Sequence, residues 1–433
     1  MGVSQIYAVS MEKVRSKLPY LQSLSHSAFL KELKKTDVEK VSPWYAGSGA
    51  VLGYRIPVEQ YVGGAFGGIS LDNAAFLDGN QMTTQYMTIG YTALSLSFLL
   101  PTISIDGTAT SSQAVVNVFK KTMKDAIKTF TAYEDSLAFA SGNAVLATGI
   151  GSGATPAGTD PLYYLEANFG PQRLELGQIV DVYNAAGSTK KGTSLQVTAI
   201  DPVNKTAQLV GTVTSPLNTD VIAVANYAAT LAAGTTRYGL YNFNSSTTSG
   251  STLGLSRVTV PELVTPNYTA SASLTSAMGL ILNDYRIQRR DESVIGKTLG
   301  ICHMAQRQAI FNTGDQVVMW NVPGPDIARN LDRTPGNRKE NDKVPFCGVD
   351  YLVSKKADRS RLDQVVMDDW GRVNLKELEY FSTPDGKYIF EGRNGDGAVK
   401  TSMNFFLVSS ENTFCADPGS GGIISSLTIP TGM

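Results

Sequence analysis

The side chains that could carry acid–base or nucleophilic chemistry are few, and their spacing is poor for it. The sequence holds two histidines, His26 and His303, and three cysteines, Cys302, Cys347 and Cys415. Cys302 and His303 are adjacent in an apolar stretch that predicts a strand, and neighbouring residues of a strand point to opposite faces. The pair is therefore unsuited to thiol–imidazole catalysis, and we interpret both residues as packed core side chains.

The carboxylates and the glycine-rich run are no better candidates for a catalytic or ligand-binding site than Cys302 and His303. Asp368, Asp369, Glu377 and Glu379 could serve acid–base or metal chemistry, but paired surface acids are common in proteins that do no catalysis. Residues 149–153 (GIGSG) follow a predicted helix instead of opening one after a strand, which favours a loop over a phosphate cradle. We therefore predict that the protein is not an enzyme and has neither a cofactor nor a metal site.

A cluster of arginines is the most concentrated charge in the second half of the chain. Arg286, Arg289 and Arg290 lie at the C-terminal end of a predicted helix, where cations suit the helix dipole. Such a cluster can bind phosphate or DNA, or it can form ion pairs between subunits. The sequence leaves both interpretations open.

The composition favours a protein that contacts other protein. Among 433 residues, 37 are basic and 38 acidic, and the formal net charge of −1 argues against a protein that coats nucleic acid through a basic surface. Charged residues make up only 17%, and 41 residues are glycine, so much of the surface must be neutral. An odd number of cysteines without a close pair excludes a disulfide framework and a cysteine-based zinc site.

The N-terminal residues 1–45 are predicted to form a mildly basic arm. They lack the apolar core of a signal peptide, and no uncharged apolar run in the chain reaches about 18 residues, so we expect a soluble product of a cytoplasm. Ser27 is a candidate cap for a short helix through Lys35, with Phe29, Leu30 and Leu33 on its apolar side.

Residues 46–105 are rich in glycine and contain no lysine. The segments 54–58 and 82–100 have the residues of strands, and we predict a long two-stranded hairpin with an irregular tip around Gly63, Gly64, Gly67 and Gly68. A hairpin of that length has little core of its own. We therefore expect it to lie on something else, such as a neighbouring subunit.

The clearest periodicity predicts one long helix over residues 112–140. Its apolar positions are Val115, Phe119, Met123, Ile127 and Phe130. Its charged positions, predicted to lie on the other side, are Lys120, Lys121, Lys124, Asp125, Lys128 and Glu134. Ser111 or Ser112 supplies a cap and Gly142 a stop, and such a helix would span roughly 43 Å.

The rest of the chain alternates between predicted strands and short helices. Residues 149–160 are expected to be a flexible connector, and residues 177–226 a compact β unit of four strands. A second helix is expected to open at Ser271 or Ser273. Later strands are predicted at 299–304, 349–354, 364–367, 388–391, 401–408 and 423–427.

This order of elements resembles the major capsid protein of tailed bacteriophages, the Hong Kong 97-like fold. The local similarity is strongest at residues 123–143, which look like the spine helix of that family and its exit. Residues 256–267 (SRVTVPELVTPN) and 414–418 (FCADP) also resemble family segments. The order of elements carries most of the resemblance, since none of these segments is as specific as a catalytic signature.

The resemblance implies an α+β fold with an N-terminal arm, an extended loop, a spine helix, peripheral and axial domains, and a small β-barrel-like insertion. The implied divisions are an arm at 1–45, an extended loop at 46–105, a peripheral domain at 106–148, an axial domain at 160–370 with the insertion at 177–226, and returning peripheral strands at 371–433. The function it implies is a coat protein whose pentamers and hexamers close an icosahedral shell around double-stranded DNA. Another phage structural protein, a tail or decoration component, is the alternative.

The resemblance also implies partners and contacts. Residues expected to contact other subunits are Arg55, Gly63, Gly64, Phe66, Arg286, Arg289 and Arg290. Expected partners are other copies of the chain, a separate scaffolding protein, a portal, the packaged DNA and a possible decoration protein, with no membrane. The protein would be assembled in the host bacterial cytoplasm and located in the virion. Because the loop has no lysine, the covalent crosslinking of some family members is not expected.

Overall fold

The computed structural model shows a mixed α+β chain built mainly of sheets. The described residues are 28–35, 42–45, 51–61, 83–90, 92–101, 112–166, 170–225, 230–231, 236–290, 292–313, 343–381, 390–393 and 399–430. The helices are α1 (Ala28–Glu32), α2 (Ser112–Ala138), α3 (Leu240–Phe243), α4 (Ser276–Arg289), α5 (Ser293–Gly296) and α6 (Met304–Asn312). None of these helices is both long and apolar enough to cross a membrane.

The strands fall into four larger sheets and one two-stranded ribbon. Strands of the first half are β1 (Lys34–Lys35), β2 (Ser42–Tyr45), β3 (Val51–Tyr61), β4 (Thr83–Gly90), β5 (Thr92–Pro101), β6 (Val145–Thr148), β7 (Leu162–Tyr164), β8 (Ile179–Tyr183), β9 (Lys190–Asp201), β10 (Thr206–Val210) and β11 (Val221–Val224). Strands of the second half are β12 (Ser251–Thr252), β13 (Leu255–Ser256), β14 (Asn267–Thr269), β15 (Thr298–Cys302), β16 (Lys343–Phe346), β17 (Val349–Val353), β18 (Leu362–Val366), β19 (Trp370–Tyr380), β20 (Phe390–Arg393), β21 (Val399–Cys415) and β22 (Gly422–Ser425).

One sheet joins strands from both ends of the described chain, and we call it the terminal sheet. Its strands run in the order β1-β19-β21-β20, and β5 also pairs with β21. The pairing of β5 with β21 is antiparallel and runs from Thr92 opposite Glu411 to Pro101 opposite Ser402. The sheet therefore depends on contacts between segments some 300 positions apart, which no local pattern encodes.

The hairpin sheet consists of β2, β3 and β4, with β3 in the middle. Its inner face carries Ile56, Val58, Met87 and Ile89, all buried in the central core of the same subunit. The root of the predicted hairpin therefore packs on its own chain, whereas we expected it to lie on something else. The predicted glycine-rich tip lies outside the described residues.

The prediction of one continuous strand over residues 82–100 was wrong. The segment is divided into β4, which pairs with β3, and β5, which pairs with β21. At the point of division, the side-chain amide of Asn412 donates a hydrogen bond of 2.9 Å to the carbonyl oxygen of Gly90. The long strand β21 offers β5 a ten-residue edge, so pairing there replaces pairing within the hairpin.

Helix α2 confirms the strongest sequence prediction, with one correction. It ends at Ala138, four positions before the predicted stop at Gly142, whose φ of 80° lies in the left-handed region. Ile127 and Phe130 are buried and Lys128 is exposed, as predicted. Glu134, which was placed on the polar side, is instead buried.

The short N-terminal helix also differs from its prediction. Phe29, Leu30 and Leu33 are buried as expected. The helix, however, ends at Glu32 instead of continuing to Lys35, because Lys34 and Lys35 form strand β1 and pair in parallel with Gly371 and Arg372 of β19. Pairing with a strand that lies far along the chain here overrides local helix propensity.

A six-stranded sheet of order β6-β11-β8-β9-β10-β7 closes on itself, and we call it the closed sheet. Its first and last strands are joined by a bridge between Gly149 and Leu165 and by a hydrogen bond of 2.8 Å from the amide of Glu166 to the carbonyl of Thr148. Its interior is filled by Leu146, Tyr163, Val180, Val182, Leu195, Val197, Ala207, Leu209 and Ile222. This sheet has a core that is largely its own.

The predicted bounds of this unit were too narrow. Strands were correctly placed at Ile179–Tyr183 and Thr206–Val210. The sheet, however, begins at β6, so residues 149–160 lie inside the unit, between β6 and β7. Strand β6 belongs to the sheet because it pairs with β11, more than 70 positions away along the chain.

The mixed sheet has the order β14-β22-β18-β15-β17-β16, with parallel pairs β14–β22 and β15–β17. Residues of α4 and α6 pack against it, among them Met278, Leu282 and Ile310, which lie in one core with Val353 and Ile424. The predicted strands at 299–304, 349–354, 364–367 and 423–427 correspond to β15, β17, β18 and β22. Strand β22, the last strand of the described residues, therefore lies in this sheet and not in the terminal sheet.

Four aromatic rings form the centre of the main core. Phe29 lies 5.6 Å from Phe139 and 5.8 Å from Trp370, and Phe243 lies 5.5 Å from Trp370. These rings join α1, the end of α2, α3 and the terminal sheet. Aromatic contacts of this kind add about 0.5–1.5 kcal/mol each beyond the burial of their area.

Candidate assembly surfaces and internal charge clusters

The histidine and cysteine that could have formed a catalytic pair are structural. The amide of Ala305 donates a hydrogen bond of 3.0 Å to Nδ1 of His303, so His303 caps the start of α6. Burial, aided by the nearby charge of Arg359, lowers the pKa of His303 to about 3. Burial also raises the pKa of Cys302 to about 12. At neutral pH the imidazole is therefore uncharged and the thiol is protonated, as expected for core side chains.

Asp368 and Asp369, two of the candidate acids, have partners within the subunit. Asp368 lies 3.7 Å from Nζ of Lys297, and the hydroxyl of Ser420 donates to Asp369 at 2.8 Å. Residues 149–153 lie in the closed sheet between β6 and β7, as a connection between strands. Across the described ranges, no group of three or more His, Cys, Asp or Glu side chains is placed to hold a metal ion.

Arg286 was predicted to contact other subunits, and the structure requires a correction. The side chain is fully buried, and its guanidinium donates to the carbonyl of Ser420 at 3.0 Å, to Gln364 at 2.7 Å and to Thr298 at 2.7 Å. Burial lowers its pKa to about 10. Arg286 therefore ties α4 to the mixed sheet and is not accessible to a second subunit or to DNA.

The two neighbouring arginines also have partners within the subunit. Arg289 donates to the carbonyls of Pro261 and Val264, and Arg290 forms a half-exposed ion pair of 2.6 Å with Asp417. Together they hold the turn at 261–263 beside the turn at 418–420. A contact between either arginine and another subunit stays a prediction.

The outer face of the hairpin sheet is a candidate contact surface. Arg55 is exposed there, and Tyr86, opposite Pro57 in the register, has 51% of its side chain accessible. An exposed aromatic beside an arginine is typical of protein interfaces. Gly63, Gly64 and Phe66, the other predicted contact residues of the loop, lie outside the described residues.

A second candidate surface is on the outside of the closed sheet. Ile179 and Val210 are both opposite Gln196, on either side of β9, so the three residues form one row on one face. Ile179 and Val210 are exposed, and Leu176, just before β8, has 66% of its surface accessible. Exposed apolar side chains that share one face of a sheet commonly mark contacts with other proteins.

A buried cluster of four charges, which the sequence analysis missed, joins α2 to the terminal sheet. Arg237 donates from one nitrogen to Glu134 at 2.8 Å and to Glu411 at 2.7 Å, and from another to Ser409 at 2.8 Å. Arg372 also donates to Glu411. The cluster holds two acids and two bases, and burial, the largest effect, raises the pKa of Glu134.

A sequence signal for this cluster did exist. Glu134 follows Ile127 by seven positions and Phe130 by four, so helical spacing places it on the apolar face of α2. A charge on the buried face of a helix requires a partner, because an unpaired buried charge is very costly. The partner itself could not be identified from spacing, since Arg237 lies 103 positions away.

A second buried cluster joins the closed sheet to the mixed sheet around Tyr241. The guanidiniums of Arg173 and Arg361 lie 5.2 and 4.6 Å from the centre of its ring. Arg361 forms an ion pair of 2.6 Å with Asp363, to which Asn244 also donates at 2.6 Å. Burial raises the pKa of Asp363 to about 6, although Arg361 opposes this shift. Nearby, buried Lys356 forms an ion pair of 2.6 Å with the partly exposed Glu175.

Comparison with known proteins finds similarity at the level of structure only. No family model matches the chain, and no curated protein matches it in sequence. The cyanophage A-1(L) capsid asymmetric unit matches with 11% identity, 93% of each chain covered and a TM-score of 0.47. The capsid of a native GTA particle matches with 8% identity, 93% of this chain and 90% of the other covered, and a TM-score of 0.44. The procapsid of satellite phage P4, which includes the size determination protein Sid, matches with 9% identity, 99% of each chain covered and a TM-score of 0.40.

Proposed function

We propose that this chain is a major capsid protein, which assembles as pentamers and hexamers into an icosahedral shell around phage double-stranded DNA. The observation that carries the proposal is the arrangement of the elements. Along the chain, the hairpin sheet is followed by helix α2, by the closed sheet and by most of the mixed sheet. Strands β19 and β21 then complete the terminal sheet, to which β5 also belongs. This is the order expected from the sequence resemblance, so the proposal rests on an analogy of fold.

The parts of the subunit are assigned on the same basis. We take α2 as the spine helix and the terminal sheet with α2 as the peripheral domain. The mixed sheet with α4 and α6 corresponds to the axial domain, and the closed sheet to a barrel-like insertion that spans residues 145–224. The hairpin sheet is the root of the extended loop at 46–105, and residues 1–45 are the arm.

The internal chemistry supports a mechanical role. The buried charge clusters around Arg237 and Tyr241 each join two structural units. Among the side chains that the sequence offered for catalysis, Cys302 is buried, and His303, Asp368 and Asp369 have partners within the subunit. A subunit that must keep its shape while its surface contacts many neighbours needs such internal bracing. Partners proposed on this basis are other copies of the chain, a separate scaffolding protein, a portal, the packaged DNA and a decoration protein, with the virion as location.

The strength of the shell would come from buried area and not from covalent links through the loop. Residues 46–105 contain no lysine, so a loop lysine cannot form an isopeptide bond with a neighbour. Burial of an additional 1,000 Å² of apolar surface between subunits would contribute roughly 25 kcal/mol before ordering costs are subtracted.

The test is the assembly state of the purified protein, alone and co-expressed with the products of neighbouring genes. Light scattering and negative-stain electron microscopy should show closed shells, or regular pentamers and hexamers. A protein that remains monomeric in every combination would contradict the coat assignment. Tubes, or binding to the outside of shells formed by another protein, would indicate the alternative role of a tail or decoration component.

A further inference from the structure

A groove of about 790 Å³ lies between β5, α2 and the closed sheet. Residues 93–98 of β5 form one wall, and one face of α2 from Asp125 to Leu137 forms another. Gln178 and Ile179 of the closed sheet also line it. Its volume lies in the range of sites that hold a ligand or a short peptide.

Strand β5, which lines this groove, has one edge without a strand partner among the described residues. In the part of the chain that the structure describes, β5 pairs with β21 alone. A strand has two hydrogen-bonding edges, so the amide and carbonyl groups on the other edge of β5 have no strand partner there. Ala93, Ser95 and Ser97 are exposed, whereas Leu94 and Leu96 are half-buried. An open edge of this length is a template for the addition of another strand.

The N-terminal end of the described chain lies beside the C-terminal end of α2, whose lining face borders the groove. Helix α1 begins at Ala28, and Phe29 lies 5.6 Å from Phe139, two residues beyond Leu137, which lines the groove. The lining face of α2 from Asp125 to Leu137 is about 18 Å long at 1.5 Å per residue. Residues 10–27 can span up to about 60 Å when extended, so a segment that precedes them can reach any part of the groove.

The first residues of the chain have the composition of a strand that would fit. Residues 3–9 (VSQIYAV) carry no charge, and Val3, Ile6, Tyr7 and Val9 are β-branched or aromatic. Seven extended residues measure about 23 Å, and the wall formed by residues 93–98 measures about 20 Å, so the lengths agree. Basic residues begin only at Lys13, outside this segment.

We propose that residues 3–9 of the same chain add to the free edge of β5 as a further strand of the terminal sheet. Backbone hydrogen bonds to β5 would hold the segment, and its apolar side chains would contact the half-buried leucines and α2. This assignment does not depend on the proposed capsid function, because it concerns the isolated subunit.

The test is amide hydrogen exchange of the full-length chain, read by mass spectrometry on peptides that cover residues 92–98. The test variant is Gln5→Pro with Tyr7→Pro, because proline cannot donate to a sheet and breaks the added strand. The matched control is Ser23→Pro with Ser25→Pro, two prolines at the same spacing outside the proposed strand. We expect exchange of the β5 peptide to be about tenfold faster in the test variant and unchanged in the control.

A second measurement covers the case in which the proline variant folds poorly. A chain without residues 2–10 is compared with and without a synthetic peptide of those residues, with a scrambled peptide as control. Protection of β5 that returns only with the native peptide supports the proposal. Equal exchange of β5 in all proteins would overturn it, and so would protection that rises with protein concentration, since the strand would then come from a second copy.

Discussion

The closed sheet and the hairpin sheet differ in where they bury their apolar side chains. The closed sheet joins its edge strands through Gly149 and Leu165 and surrounds a core that is almost entirely its own. The hairpin sheet buries Ile56 and Met87 in a core that it shares with α1, α3 and the terminal sheet. The first can therefore fold as a local unit, whereas the second exists only when distant parts of the chain have come together.

We expect the largest loss of stability when the buried charge cluster around Arg237, which joins α2 to the terminal sheet, is broken. Arg237→Met should cost about 3–5 kcal/mol, because it removes the ion-pair partner of buried Glu134, while Glu411 keeps Arg372, so that the cluster holds two acids and one base. The free energy of unfolding from a denaturant titration measures this cost. The control is Arg290→Met, which removes a half-exposed ion pair and should cost about 0–1 kcal/mol. Similar costs for the two variants would mean that the buried cluster does not stabilise the contact between α2 and the terminal sheet.

The interior of the closed sheet can be compared with its own outer face on a single strand. Leu209→Ala should cost about 2–5 kcal/mol by leaving a cavity, whereas exposed Val210→Ala should change stability by about 0.5 kcal/mol or less. Hydrogen exchange should increase within residues 145–224 and stay unchanged in the mixed sheet. An equal increase in both sheets would contradict the view that the closed sheet is a local unit.

One buried and one exposed residue can be compared in the same way in the hairpin sheet. Met87→Ala should cost about 2–5 kcal/mol, while Tyr86→Ala, on the outer face, should cost little in the isolated subunit. Because Met87 lies in the shared core, exchange should rise in β19 and around Trp370 as well as in the hairpin. An effect confined to residues 51–90 would show that the hairpin sheet is more independent than its contacts indicate.

The junction between the closed and mixed sheets should respond to pH through Asp363. Its pKa is raised to about 6, so its contribution to stability is present below the unfolded pKa of about 4 and is lost as the pH rises through 6. The full shift corresponds to about 3 kcal/mol at most. Denaturant titrations from pH 4 to pH 7 should show this loss in the native chain and not in Asp363→Asn. The same pH profile in both proteins would assign the effect to another group.

The smallest expected effect on the subunit is that of shortening the hairpin loop. Removal of residues from 63–82 should leave the free energy of unfolding within about 0.5 kcal/mol, since the described root of the hairpin retains its core. Under the proposed function, the same change should impair shell closure, as seen by electron microscopy. Normal shells from the shortened chain would contradict the assignment of this loop to contacts between subunits.

Several features could be predicted from the sequence because they depend on neighbouring residues. Helix α2 was placed within two residues of its end, and strands β8 and β10 were placed at their observed bounds. Cys302 and His303 are buried, as interpreted from the sequence, although His303 follows strand β15 and caps α6 instead of continuing the strand. Periodicity and spacing are local properties, and the interior of a helix or strand depends largely on them.

Other features could not be predicted, since they depend on partners far along the chain. Nothing near Gly90 shows that β5 leaves the hairpin and joins β21. The contact surfaces are even less accessible to sequence reasoning, because an arginine at a helix end has the same pattern whether it faces solvent or, as Arg286 does, the interior.

Residue types and separations of two to four positions were enough to predict the interior of α2 and of strands β8 and β10, and to show how few reactive groups the chain has. The sharing of strands among the sheets, the contact between the first and last strands of the closed sheet, and the burial of particular charges depend instead on pairings between distant parts of the folded chain. Arg237, for example, joins partners 103 and 174 positions away. Such pairings are selected by the free energy of the whole packed core, in which a buried charge is tolerated only where its partner arrives with it.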